Sequence, residues 1–138
     1  MTAPTRILVV DDAPEHARMV VEVLRAGDVC RGADMAIAVS YDDALRAFER
    51  GAFDLAFFDY WLGARDGVSL LREVRGRGVE TPVVMLTSRG AEEVAVEAMK
   101  AGAADYLSKS QITVETLEAT VRHAIALHAQ EQRRRDAE

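Results

Sequence analysis

Short unbroken apolar runs alternate along the chain with segments whose apolar residues recur at helical spacing. The runs lie at 7–10, 35–39, 55–58, 83–86 and 104–107. Most are continuous, not alternating, which is the pattern of strands buried on both faces. Segment 14–25 places Ala17, Val20, Val21 and Leu24 on one stripe, opens on Pro14 and is followed by Gly27. Segment 42–50 follows Ser40-Tyr41-Asp42-Asp43, which reads as a capping sequence. Segments 68–75 and 92–101 come next, the second closed by Gly102. The last helix begins near Thr113 and carries Leu117, Val121, Ala124 and Ile125. Strand followed by helix, repeated along the whole chain, predicts an α/β fold with a five-stranded parallel sheet and helices on both faces. The apolar stripe of the last helix fades after Leu127. The expectation is a domain over 1–128 and a polar, helix-prone extension over 129–138, either a frayed end or a stub that pairs with another helix.

Composition narrows the picture. A chain of 138 residues is one domain by size. No run of about 18 apolar residues is present, which predicts no membrane span, and Met1 to Arg6 lacks the apolar core of a signal peptide. The lone cysteine, Cys30, excludes an internal disulfide and a cysteine-built zinc site. A cytoplasmic protein is expected. The net charge of −6 leaves no excess of cations for phosphate backbone, so nucleic acid is not an expected partner. The Arg133-Arg134-Arg135 run is flanked by acids and reads as a solvated helix end. Only Lys100 and Lys109 break an otherwise all-arginine set of cations, a hint that a compact ammonium is needed at one of them.

In a parallel sheet all carboxyl ends share one edge, where ligands bind. The residues that follow the strands are Asp11 and Asp12, then Asp59, then Thr87 and Ser88, then Ser108 and Lys109. Each has an ordinary reading alone; Asp12, for instance, is placed to cap the helix beginning near Pro14. Together they crowd carboxylates, hydroxyls and one ammonium onto one rim. Two carboxylates about 5 Å apart repel by about 3 kcal/mol at an effective dielectric near 20. Such a rim holds a proton or a divalent cation, and its all-oxygen ligands suit Mg²⁺ or Mn²⁺. A carboxylate so placed can attack phosphorus in line and form an acyl phosphate. His16, His123 and His128 are scattered and form no expected zinc site.

These residues carry a resemblance. The stretches Ile7-Leu-Val-Val-Asp-Asp12, Asp59-Tyr-Trp-Leu-Gly63 with Asp66-Gly67, Val83-Val-Met-Leu-Thr-Ser88 and Ala101-Gly-Ala-Ala-Asp-Tyr-Leu-Ser-Lys109 resemble the response-regulator receiver domain of two-component signalling. The resemblance implies a flavodoxin-like, CheY-like fold with strand order 2-1-3-4-5 and Asp59 as phosphoacceptor. It implies that Asp12, Asp59 and the Trp61 backbone carbonyl ligate Mg²⁺ directly, with Asp11 acting mostly through a metal-bound water. Thr87 and Lys109 would contact the phosphoryl group, and Tyr106 would switch rotamer with Thr87. The implied partners are a histidine kinase or phosphotransfer protein and a downstream protein target. The signal would pass through the face made of the fourth helix, fifth strand and fifth helix, with homodimerisation through that face or the last helix. No DNA-binding output domain and no enzyme activity beyond self-phosphorylation and self-dephosphorylation are expected. A receiver detached from a larger hybrid kinase or signalling protein is the alternative. A haloacid-dehalogenase-like phosphatase is a remote one, since that family favours Asp-x-Asp where this chain has Asp11-Asp12.

Two positions depart from the family pattern. Gly63 stands where proline is frequent. Ser110 replaces the proline that usually follows the lysine, and a cis bond before serine costs about 3 kcal/mol, so a trans bond is expected. Trp61 is bulky for its position, and shielding of the acyl phosphate or simple packing on a neighbouring helix are equally open readings.

Overall fold

The computed structural model describes Pro4, residues 6–88 and residues 92–137. Residues 1–3, 5, 89–91 and 138 lie outside the described residues. They include much of the N-terminal segment read for a targeting signal and the last residue of the tail. Five long strands form the main sheet: β1 (Arg6–Val10), β2 (Asp34–Ala38), β3 (Leu55–Asp59), β4 (Val83–Thr87) and β5 (Asp105–Ser108). All neighbouring pairs are parallel, in the order 2-1-3-4-5. The helices are α1 (Pro14–Ala26), α2 (Tyr41–Arg50), α3 (Gly67–Gly76), α4 (Glu92–Lys100) and α5 (Val114–Asp136). The fold is that expected from the alternation, with one addition: a two-residue antiparallel ladder, Trp61–Leu62 with Arg65–Asp66, set between β3 and α3.

Burial follows the order of the strands. Every residue of β3 and β4 is buried, and so is β1 after Arg6, whereas the edge strands β2 and β5 are partly exposed. Central strands covered on both faces need apolar side chains at consecutive positions, which is why their runs are unbroken. Side chains alternate between two cores. Leu8, Val10, Phe58 and Met85 pack with residues of α2, α3 and α4. Ile7, Val9, Phe57 and Leu86 pack with residues of α1 and α5.

Among the described residues, three helix starts are fixed by side chains. Ser40 accepts from the Asp43 N–H at 3.1 Å, Asp66 accepts from the Ser69 N–H at 2.7 Å, and Thr113 exchanges hydrogen bonds with Thr116. Asp12 does not cap α1. The N-cap residue is Ala13, which leaves α1 without a side-chain cap, and its own N–H donates to Asp11 Oδ1 at 2.9 Å in the turn before the helix. The last helix is continuous to Asp136. Its polar end lies against the body through Glu80, which accepts from Gln132 Nε2 at 3.3 Å and pairs with Arg135. A cavity of about 350 Å³ separates this end from the body, lined in part by Arg75, Leu127 and His128.

Candidate functional site

Register brings the site together. Val10 lies opposite Phe58, Asp59 opposite Leu86, and Thr87 opposite Ser108. The residues after β1, at the end of β3 and after β5 therefore meet at one edge. Oxygen atoms of Asp11, Asp12 and Asp59 lie within 4.8 Å of one another. Lys109 reaches the same point, with Nζ 2.8 Å from Asp11 Oδ2 and 3.2 Å from Asp59 Oδ1. Asp11, Asp59 and Thr87 are buried, while Asp12 is exposed at the rim. Trp61 is 57% exposed and meets Tyr60 edge to face, ring centroids 4.8 Å apart. The reading of Trp61 as packed on a neighbouring helix does not fit that exposure. Tyr106 is 40% exposed.

The loop after Asp59 is built around glycine. The Gly67 N–H donates to the Tyr60 carbonyl at 2.7 Å, and a Cβ on Gly67 would stand 2.3 Å from the Asp59 carbonyl oxygen. Only glycine lets α3 begin this close to the end of β3. Gly63, with φ of 80°, takes the left-handed conformation in the hairpin turn. Proline, held near −65°, cannot adopt it, which accounts for that departure from the family pattern. No cis peptide occurs among the described residues, and Lys109–Gln111 form a 3₁₀ turn after β5.

The charges do not balance. Burial, then the charge of Asp11, pushes the Asp59 carboxyl up to about 6 against the opposing pull of Lys109. Burial pulls the Lys109 ammonium down, but its hydrogen bond to Asp11 and the charge of Asp59 outweigh this and raise it. Asp59 Oδ1 is buried and has no hydrogen-bond partner, since the nearby ammonium is not aligned to supply one. A buried carboxylate oxygen in that condition, with two further carboxylates converging on it, fits a hard divalent cation.

A pH dependence follows. An unfolded aspartate titrates near 3.9, about two units below folded Asp59, so the folded state holds this proton more tightly. Ionised Asp59 thus costs stability, fully above about pH 6 and not at all below about pH 4. In chelator at pH 7.5, Asp59→Asn is expected to raise stability by about 2 kcal/mol. Urea unfolding at both pH values checks it: the gain disappears near pH 4, and a destabilised variant at pH 7.5 contradicts this account.

The structure gathers Asp11, Asp12, Asp59 and Lys109 as the strand order requires. It also adds a group that sequence reading set aside. His16, in the first turn of α1, places Nδ1 3.3 Å from Lys109 Nζ. The one available signal was its position just after Asp11 and Asp12 in a helix that starts at the rim.

Comparison with known proteins agrees with this geometry. Residues 7–122 match the family model described as response regulator receiver domain. ZraR of Salmonella typhimurium, a transcriptional regulatory protein, is 36% identical over 120 residues, covering 87% of this chain and 26% of that protein. The regulatory protein AtoC of Escherichia coli is 33% identical over 129 residues, 94% of this chain and 27% of that protein. The chain thus spans about a quarter of the length of these relatives. Among solved structures, the receiver domain of NtrX from Brucella abortus is 34% identical with a TM-score of 0.77, covering 87% of this chain and 98% of that one. A CheY-like receiver domain protein from Methanospirillum hungatei is 26% identical, TM-score 0.77, covering 92% and 98%.

Proposed function

The chain belongs to the response regulator receiver domain family, and on that premise we propose that Asp59 accepts a phosphoryl group from phosphohistidine on a kinase or phosphotransfer protein. The observation that carries this reading is the buried Asp59 oxygen without a hydrogen-bond partner, held among two other carboxylates and one ammonium. An Asp59 oxygen attacks phosphorus, an O–P bond forms, the P–N bond to the donor imidazole breaks, and the imidazole leaves with its electron pair and takes a proton. Lys109 and the Thr87 hydroxyl hold the phosphoryl oxygens.

Asp11, Asp12, Asp59 and the Trp61 carbonyl would hold Mg²⁺ or Mn²⁺. The bound cation supplies neutralisation of charge on carboxylate and phosphoryl oxygens. Without it, the three carboxylates repel an incoming dianion, and among the described residues only Lys109 opposes them.

The modification biases two pre-existing states, with Tyr106 moving from its exposed position as Thr87 is drawn toward the phosphoryl group. The output passes through the face that carries Val96, Met99 and Tyr106, all exposed. A downstream protein, an attached segment in a protein of the relatives' length, or a second copy would read it there. The chain acts as a phosphoacceptor rather than as an enzyme on external substrates. Among the described residues no helix is long and apolar enough to cross a membrane, and the proposed setting is the cytoplasm.

Incubation with acetyl phosphate and Mg²⁺, read by intact mass, tests the proposal. Wild type is expected to gain one phosphoryl group and Asp59→Asn none. Equal labelling of the two overturns the acceptor assignment, and sustained turnover of a generic phosphomonoester replaces the reading with a phosphatase.

A further inference from the structure

His16 stands outside every role assigned above, yet it touches Lys109, the one cation that reaches the carboxylates among the described residues. An ammonium has three protons to donate. On Lys109 one goes to Asp11 Oδ2 at 2.8 Å, and a second faces His16 Nδ1 at 3.3 Å. Asp59 Oδ1 lies 3.2 Å away without a hydrogen bond. Accepting at Nδ1 requires a neutral ring with its hydrogen on Nε2. The three groups surround Nζ from the residue after β1, the end of β3 and the first turn of α1, and the Lys109 side chain itself is only 13% exposed. His16 is exposed, so it covers the ammonium from the solvent side.

The contact exists while the ammonium sits on the carboxylates. A contact made in one arrangement and lost in another stabilises the first by its full free energy. We propose that His16 is a positioning residue that holds the Lys109 ammonium on Asp11 and Asp59, so that a divalent cation must break this contact to take the carboxylates. The inference rests on the reading of the acidic cluster as a cation site, but not on phosphoryl transfer. His16 then sets the threshold cation concentration at which the site loads. Removing the imidazole lowers the threshold, because the ammonium gives way more readily. The partly solvated geometry places the effect low in the range of a single hydrogen bond, about threefold in affinity.

Equilibrium titration with Mg²⁺, followed by the fluorescence of Trp61 beside Asp59, reads the effect without any phosphodonor. His16→Leu is expected to bind Mg²⁺ about threefold more tightly than wild type, and His16→Gln, which keeps an acceptor, to stay near it. In a Lys109→Ala background His16→Leu is expected to change nothing, which separates a role through the lysine from a general effect on the fold. Unchanged or weaker binding in His16→Leu overturns the proposal. The Lys109 ammonium resonance in metal-free protein gives a second measure: its protons are expected to exchange with water faster in His16→Leu. If wild type shows no Mg²⁺ response, the cation reading fails, and unaltered proton exchange then overturns the His16 role as well.

Discussion

Lys109→Ala is expected to destabilise the metal-free domain by about 3 kcal/mol at pH 7.5 and to slow phosphoryl labelling by about a hundredfold or more. Among the described residues the ammonium is the one cation within reach of three carboxylates whose oxygens lie within 4.8 Å of one another. Deleting it leaves Asp11 buried without its 2.8 Å partner and pushes the Asp59 carboxyl still higher. Removing one member of a buried ion pair is costly because the other stays desolvated. Mg²⁺ is expected to restore most of the lost stability but not the labelling rate, since the cation replaces charge without replacing the lysine's contact with the phosphoryl group. Urea unfolding in chelator and in Mg²⁺, beside a labelling time course, checks both halves. A variant as stable as wild type in chelator would show that the carboxylates do not depend on this ammonium. The contrast with Asp59→Asn is the sharper point. Two substitutions a few ångströms apart shift stability in opposite directions, because one worsens and the other relieves the same excess of negative charge.

Phe58→Ala is expected to cost about 3–5 kcal/mol. Phe58 is fully buried between Val10 and Met85 in register, and its ring meets Phe48 edge to face with centroids 6.2 Å apart. Packing from α2 and α3 closes over it, and truncation leaves a void that a rigid central strand does not collapse to fill. Against a total stability of about 5–15 kcal/mol, that loss brings the domain close to unfolding at room temperature. Phe58→Leu is expected to recover more than half of it. Denaturation midpoints measure the series, and a loss below about 1 kcal/mol for alanine would mean that the surrounding helices shift to close the gap.

Much of the architecture was legible in the sequence because the main sheet is central and parallel. Val83 to Leu86 and Leu55 to Phe58 are unbroken because both faces are covered, and the topology then gathers Asp11, Asp12, Asp59 and Lys109 without further information. What escaped was local geometry or distant contact. The Trp61–Leu62 ladder is too short to show alternation, and its turn depends on the φ of Gly63. Asp12 looked like a helix cap by spacing, but Asp11 takes the Ala13 N–H. His16 meets Lys109 across 93 residues of chain, a separation to which periodicity is blind. The end of α5 behaves likewise: its seat is made by Glu80 with Gln132 and Arg135, not by an apolar stripe.

That helix has a mechanical consequence. Its 23 residues make a rod about 35 Å long at 1.5 Å per residue, gripped by the sheet and α1 over its first half, where Leu117, Thr120, Val121 and Ala124 are buried. Pivoting about that grip by about five degrees swings the distal tip through about 1.5 Å, given the same rise per residue. The rod is a lever, and the exposed ion pair between Glu80 and Arg135 is part of the catch that holds its arm, so raised ionic strength loosens the far end while leaving the fulcrum untouched.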